Sequence, residues 1–326
     1  TALLTARLHV GGAPDPELAA RLWTETEGNP LFVIEALRAG AASGAGQSML
    51  TPTMRAVLGA RLGQLPDGPR RLAEVAAVIG RPFSVGLVAS VTGAGEHELV
   101  DDLDELWRRR IIRDQGLTYD FSHDKLRAVA LEMVSPARRR QLHRAAAEAI
   151  EGQQHDVDAA SSLLAAHYDQ AGMVDAAIAA YRAAGARAVA VSALDEAVTM
   201  FRRALSLLAE VATSPDRDAV ELDLRIALGS PLVALEGYGS KGAHQLYERA
   251  LSLCRKLERP VDPPILRGLG LARLQGCRFE ECSDLGRALS DDRRDPIAVT
   301  EGRYLLGVSA FWRGDLAGAR QHLDAA

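Results

Sequence analysis

The stretch Ile111-Ile112-Arg113-Asp114-Gln115-Gly116-Leu117-Thr118-Tyr119-Asp120-Phe121-Ser122-His123-Asp124-Lys125-Leu126-Arg127 decides how the chain is read. Ile111 to Asp114 and Leu117 to Phe121 alternate in hydropathy around the turn signal Gln115-Gly116, which predicts a two-stranded hairpin. From Asp124 the pattern changes to that of a helix, so His123 falls at a strand-to-helix junction. An imidazole placed there can serve the local backbone as a hydrogen-bonder. It can equally face an anion drawn to the free N–H groups of the first helical turn.

Upstream of the hairpin the spacing predicts several short helices. Met54, Val57, Leu58, Leu62 and Leu65 form an apolar stripe closed by Pro66-Asp67-Gly68-Pro69. A second helix is expected from about Arg70 to Ile79. After Gly80-Arg81-Pro82-Phe83, Ser84 is positioned to cap a third through Leu87, Val88 and Val91, and Gly93-Ala94-Gly95 separates it from a fourth around Leu99, Leu103 and Leu106. Helices followed by a hairpin predict a winged-helix domain over residues 51–140. Arg108, Arg109 and Arg110 end the helix that such a domain uses to read DNA. That helix also carries Asp101, Asp102, Asp104 and Glu105, whose charge repels phosphate and argues against direct DNA binding. Arg138-Arg139-Arg140 is expected to be a solvated helix face, and His143 a packing residue.

Residues 1–50 read as helices broken at Gly11-Gly12-Ala13-Pro14-Asp15-Pro16 and at Thr26-Glu27-Gly28-Asn29-Pro30-Leu31-Phe32. Leu18, Leu22 and Trp23 share a face, Pro30 opens a further helix, and Ala39 to Gln47 has the composition of a flexible connection.

Beyond Pro136 the chain is Ala-rich and repetitive. A small residue, a large one four positions on and a small or apolar one three further recur as Ala177, Tyr181, Ala184, then Ala197, Phe201, Ala204, then Ala243, Tyr247, Ala250. Fainter copies are Cys282, Gly286, Leu289 and Ala319, Leu323, Ala326. The intervals between copies are 20, 46, 39 and 37 residues. They predict stacked helical hairpins, an α-α superhelix over residues 141–326 in which each unit needs a neighbour to cover its apolar face. The fold class expected is therefore mainly α, with one short hairpin.

In order, Gly28-Asn29-Pro30, the run ending Ala60-Arg61-Leu62 and Leu65-Pro66, Ala76-Ala77-Val78-Ile79-Gly80, and Phe121 to Arg127 resemble the half of a STAND-type signalling ATPase that lies downstream of its nucleotide-binding core. Such modules occur in large bacterial LuxR-type transcriptional regulators and fused to adenylate cyclases or protein kinases. The helical repeats are similar to tetratricopeptide arrays. The resemblance implies a helical lid remnant over 1–50, a winged helix over 51–140 and tetratricopeptide-like repeats over 141–326. It also implies that Pro30 packs against the adenine of ADP or ATP. His123 resembles the histidine of the Met-His-Asp motif of related NB-ARC proteins, which contacts the β-phosphate of ADP; Ser122 stands here in place of Met. The implied partners are an N-terminal ATPase core outside these residues and a protein or small inducer on the repeats. The alternative is a stand-alone tetratricopeptide scaffold for protein–protein interaction.

Composition bounds these readings. A chain of 326 residues is long enough for two or three domains, and its net charge of -5 is unlike that of a broad nucleic-acid-binding surface. No apolar run approaches the roughly 20 residues of a membrane span, so no membrane partner is expected. Cys254, Cys277 and Cys282, read as buried small hydrophobes within helices, imply neither a disulfide framework nor a zinc site, and the expected compartment is the cytoplasm. The start at Thr1-Ala2-Leu3-Leu4 reads as part of a longer chain. The three lysines, Lys125, Lys241 and Lys256, follow no Gly-x-x-x-x-Gly-Lys-Ser/Thr loop, so these residues are expected to bind no cofactor alone and to catalyse nothing.

Overall fold

The computed structural model describes residues 52–153, 161–291 and 295–326. It is mainly helical, and its one sheet among the described residues is a two-stranded antiparallel hairpin. The chain forms two compact units, residues 1–153 and 154–326.

In the first unit the helices are α1 (Pro52–Gly63), α2 (Asp67–Ile79), α3 (Val85–Thr92), a 3-10 turn (Glu96–Leu99) and α4 (Val100–Arg108). Strands β1 (Ile112–Asp114) and β2 (Tyr119–Phe121) follow, then α5 (Asp124–Met133) and α6 (Pro136–Gln153). The centre is α2, which packs against α3, α4, α5 and α6. Its run Val75-Ala76-Ala77-Val78-Ile79 is buried on every side, because alanines at two of five positions let neighbouring helices approach from more than one direction. Asp67 and Gly68, expected in a turn, instead open α2 after Pro66. Met54, Leu58, Leu62 and Leu65 enter the core as their spacing predicted, whereas Val57 is 44% exposed. The Ser84 hydroxyl accepts a hydrogen bond from Leu87 N at 3.2 Å and so caps α3, which ends on Gly93 in the left-handed conformation. Helix α6 runs unbroken to Gln153 and gives Leu142 and Ala146 to this core, so the first unit extends past residue 140, where the sequence had placed a boundary. The lid remnant expected over 1–50, with Pro30, lies outside the described residues.

The hairpin register pairs Ile112 with Phe121, Arg113 with Asp120 and Asp114 with Tyr119, and Gly116 in the turn takes a φ of 86°. Phe83, on the α2–α3 connection, bridges to Tyr119 by two backbone hydrogen bonds of 2.9 and 2.8 Å. That bridge ties the segment around Arg81 to β2.

The second unit is a run of α7 (Ser161–Ala171), α8 (Val174–Ala190), α9 (Leu194–Leu208), α10 (Pro215–Glu236) and α11 (Lys241–Lys256). It continues with α12 (Pro263–Gln275), α13 (Phe279–Asp291), α14 (Pro296–Trp312) and α15 (Leu316–Leu323). Each helix packs on its neighbours in sequence, and α8, α10, α12 and α14 also touch one another in series. Large residues of the repeated pattern sit on glycines of an adjacent helix. A Cβ on Gly185 would lie 2.7 Å from the Phe201 ring, one on Gly229 2.9 Å from the Tyr247 hydroxyl, and one on Gly307 2.5 Å from Leu323. The 46-residue interval between Ala197 and Ala243 is taken up by the 22-residue α10, which carries Pro231 inside it.

Ion pairs fasten this run. Glu221, buried in α10, receives Arg249 of α11 at 2.8 and 2.9 Å, Arg225 at 2.8 Å and Arg217 at 2.6 Å. Hydrogen bonds from Arg249 outweigh the opposing effect of burial, and with Arg225 they lower its carboxyl to about 2. Asp218, also buried, pairs with Lys256 and Arg217. Between helices two apart, Arg203 of α9 makes a bidentate pair with Asp169 of α7 at 2.7 and 2.8 Å, and Arg267 of α12 reaches Glu301 of α14 at 3.1 Å.

Candidate functional site

His123 is the N-cap residue of α5, with φ -148° and ψ 141°, and its imidazole is half-buried. The strand places it: Phe121 is fully buried in the core and Ser122 N donates to Ile111 O at 2.9 Å, which fixes the backbone just before the helix begins. Leu126 N donates to His123 O at 3.0 Å and closes the first turn.

Charged groups gather at this junction. Asp120, 4% exposed, accepts from Arg81, with an Arg81 Nη2 to Oδ2 distance of 2.5 Å, from Arg113 at 3.0 Å and from Gln115 at 3.3 Å. Burial pushes the Asp120 carboxyl up, but the hydrogen bonds from Arg81 and Arg113 prevail and hold it below its ordinary value. Arg81 also pairs with Asp124, the first residue of α5. Arg127, one turn beyond His123, is half-buried and donates from Nε to Ala77 O of α2 at 3.0 Å. Burial first and the charge of Arg81 second lower its guanidinium, with Asp120 opposing them. Sequence reading singled out His123 and passed over Arg81, Asp120 and Arg127. Arg81 lies about 40 residues upstream in a connection, and only the Phe83–Tyr119 bridge brings it to the junction.

The other sequence candidates fall as follows. Pro30 lies outside the described residues. Arg108 and Arg109 pair with Glu105 at 2.6 and 2.5 Å, Arg109 also donates to Gln64 O at 3.1 Å, and Arg61 donates to the carbonyl oxygens of Arg109 and Arg110. Of the triplet expected to be solvated, Arg139 turns inward instead and donates to Leu131 O at 2.6 Å, closing the C-terminal end of α5. His143 is buried on α6. Cys254 and Cys282 are buried as small hydrophobes, but Cys277 is exposed, in the turn between α12 and α13 with φ 56° rather than in a helix. No group of three potential metal ligands occurs among the described residues. No helix among them is long and apolar enough to cross a membrane.

No family model matches the chain. Over 214 residues, 63% of its length, it is 31% identical to an uncharacterized protein of Rhizobium meliloti, and the match spans only 20% of that protein. Among solved structures it is similar to a STAND protein with a tetratricopeptide repeat sensor from Pyrococcus horikoshii. That likeness has 12% identity and a TM-score of 0.33, over 96% of this chain and 50% of the other.

Proposed function

We propose that the chain is a non-catalytic regulatory part of a signal-transduction ATPase. In this reading the first unit is a winged-helix domain that latches the ADP-bound state of a nucleotide-binding core supplied by other residues. The second is a tetratricopeptide-like array that receives a protein partner or small inducer and releases the latch. The output domain of a transcriptional regulator, cyclase or kinase lies elsewhere in such a protein.

One observation carries the reading: His123 is the N-cap residue of α5, directly before Asp124, which pairs with Arg81, and about one turn before Arg127. The fixed backbone geometry at Phe121 and Ser122 gives that imidazole a set position, and both the helix terminus and the arginines favour an anion beside it. A ligand that binds the latched state better than the open one shifts the balance between them by its difference in affinity.

In a longer protein containing the ATPase core, His123→Ala is expected to speed ADP release about tenfold, the cost of one charge-assisted hydrogen bond of roughly 1.4 kcal/mol. Stopped-flow release of a fluorescent ADP analogue measures this. An unchanged release rate would return His123 to a purely structural role.

A further inference from the structure

Helix α4 buries Leu103 and Leu106 and leaves another of its faces to solvent. On that face Val100, Asp104 and Trp107 follow one another at intervals of four and three residues, the spacing that lines side chains up along a helix. Val100 is 49% exposed and Trp107 57%, and Asp101 beside them is exposed as well. A single exposed apolar side chain is ordinary. Two large ones on one face of a helix of 9 residues, with carboxylates between and beside them, have the composition of a protein interface, an apolar centre inside a charged rim. Tryptophan is also among the side chains that most often carry the binding energy of such an interface.

The charges on α4 are unevenly committed. Glu105 receives Arg108 at 2.6 Å and Arg109 at 2.5 Å, and Arg109 donates in addition to Gln64 O at 3.1 Å. Arg110 lies past the end of the helix, with φ 52°. Asp101 and Asp104, by contrast, form no ion pair or side-chain hydrogen bond among the described residues. They stand three positions apart, where like charges on a helix repel one another. Two of the three arginines that could meet a phosphate backbone are therefore held by the fold, while the carboxylates beside Val100 and Trp107 are left open. That face repels a nucleic acid and attracts a cationic surface.

We propose that the exposed face of α4 is a docking surface for a basic amphipathic helix of a protein partner. Apolar side chains of that helix would cover Val100 and Trp107, and its lysines or arginines would pair with Asp101 and Asp104. A helix laid along this face carries anchors at the same spacing of three and four residues. The proposal goes beyond the latch reading and requires no nucleotide contact at His123.

The test uses two synthetic helical peptides of equal length. One has leucines on one face and lysines on the other, and the second has glutamates in place of the lysines. Each is titrated into the chain while the tryptophan indole Nε1–H resonances are followed, with Trp107→Phe and Trp312→Phe assigning two of the three. The lysine peptide is expected to shift the Trp107 resonance to saturation and to leave in place that of Trp312, which is 65% exposed on α14. The glutamate peptide is expected to shift neither. By fluorescence anisotropy of the labelled lysine peptide, Trp107→Ala is expected to weaken binding about thirtyfold. Asp101→Asn combined with Asp104→Asn is expected to weaken it about tenfold and to flatten its salt dependence. Melting curves of each variant check that the fold persists. Equal shifts at Trp107 and Trp312, equal binding of the glutamate peptide, or undiminished binding by either variant overturns the proposal. A DNA duplex that shifts the Trp107 resonance also overturns it and assigns the face to nucleic acid.

Discussion

At the residue scale, Glu221 shows how a buried charge is accommodated. Its two oxygens meet Arg217, Arg225 and Arg249, so no lone pair faces apolar surroundings alone. Glu221→Gln keeps the shape and removes the charge, leaving three guanidinium groups without their shared counterion. A loss of about 2 kcal/mol is expected, measured by urea unfolding. The pH dependence has a definite sign. The carboxyl sits at about 2 in the folded chain against an ordinary 4.5, so its stabilisation is fully present above about 4.5 and disappears as pH falls toward 2. Asp120 is shifted in the same direction. Acid titration of the Glu221→Gln variant should therefore show a shallower loss of stability than wild type between those values.

At the element scale, the sequence disclosed the elements whose signals are local. The hairpin, the Ser84 cap, the Gly93 stop and the helices carrying Ala177, Ala197 and Ala243 were all legible, because each depends on residues within one or two turns. What was hidden depends on pairs far apart in the chain. Arg139 looked like surface charge because its partners, the carbonyls at the end of α5, are backbone atoms that leave no mark in the sequence. Arg81 reaches Asp120 across 39 residues. The repeat pattern was read from its alanines and aromatics, while the glycines that receive those aromatics went unnoticed. They decide the helix spacing: Gly185→Ala puts a methyl against the buried Phe201 ring, and a net loss of about 1 kcal/mol is expected despite the better helix former. By contrast, Gly59→Ala in the middle of α1 meets only Val129 at 4.0 Å and is expected to stabilise by about 0.5–1 kcal/mol. Thermal melts of the two variants should move in opposite directions.

At the scale of the whole molecule, the two units are organised on different plans. The first is built around one helix, so damage to α2 reaches every neighbour: Leu72→Ala is expected to cost about 3 kcal/mol and to lower the melting of the entire unit. The second is a chain of neighbours. Its contacts link each helix to the next and, more thinly, to the one after, so removal of one end affects mainly the adjoining pair. A chain ending before Pro296 is expected to retain the helices from α7 to α12, with helical circular dichroism falling in proportion to the residues removed. An all-or-none loss of that signal would show that the array behaves as a single cooperative body.

The neighbour-to-neighbour packing of α7 to α15 also sets a clock. Its helices meet partners that follow directly in sequence, so little chain must be closed into loops before contacts begin to form. In the first unit, α1 and α2 must wait for α5, more than 40 residues downstream, and the hairpin segment must find Phe83 from the far side of α4. Low contact order means rapid folding. After dilution from denaturant the array is expected to regain its helical signal first, with burial of Trp107's neighbours Leu103 and Leu106 completed in a later phase, followed by stopped-flow circular dichroism and tryptophan fluorescence.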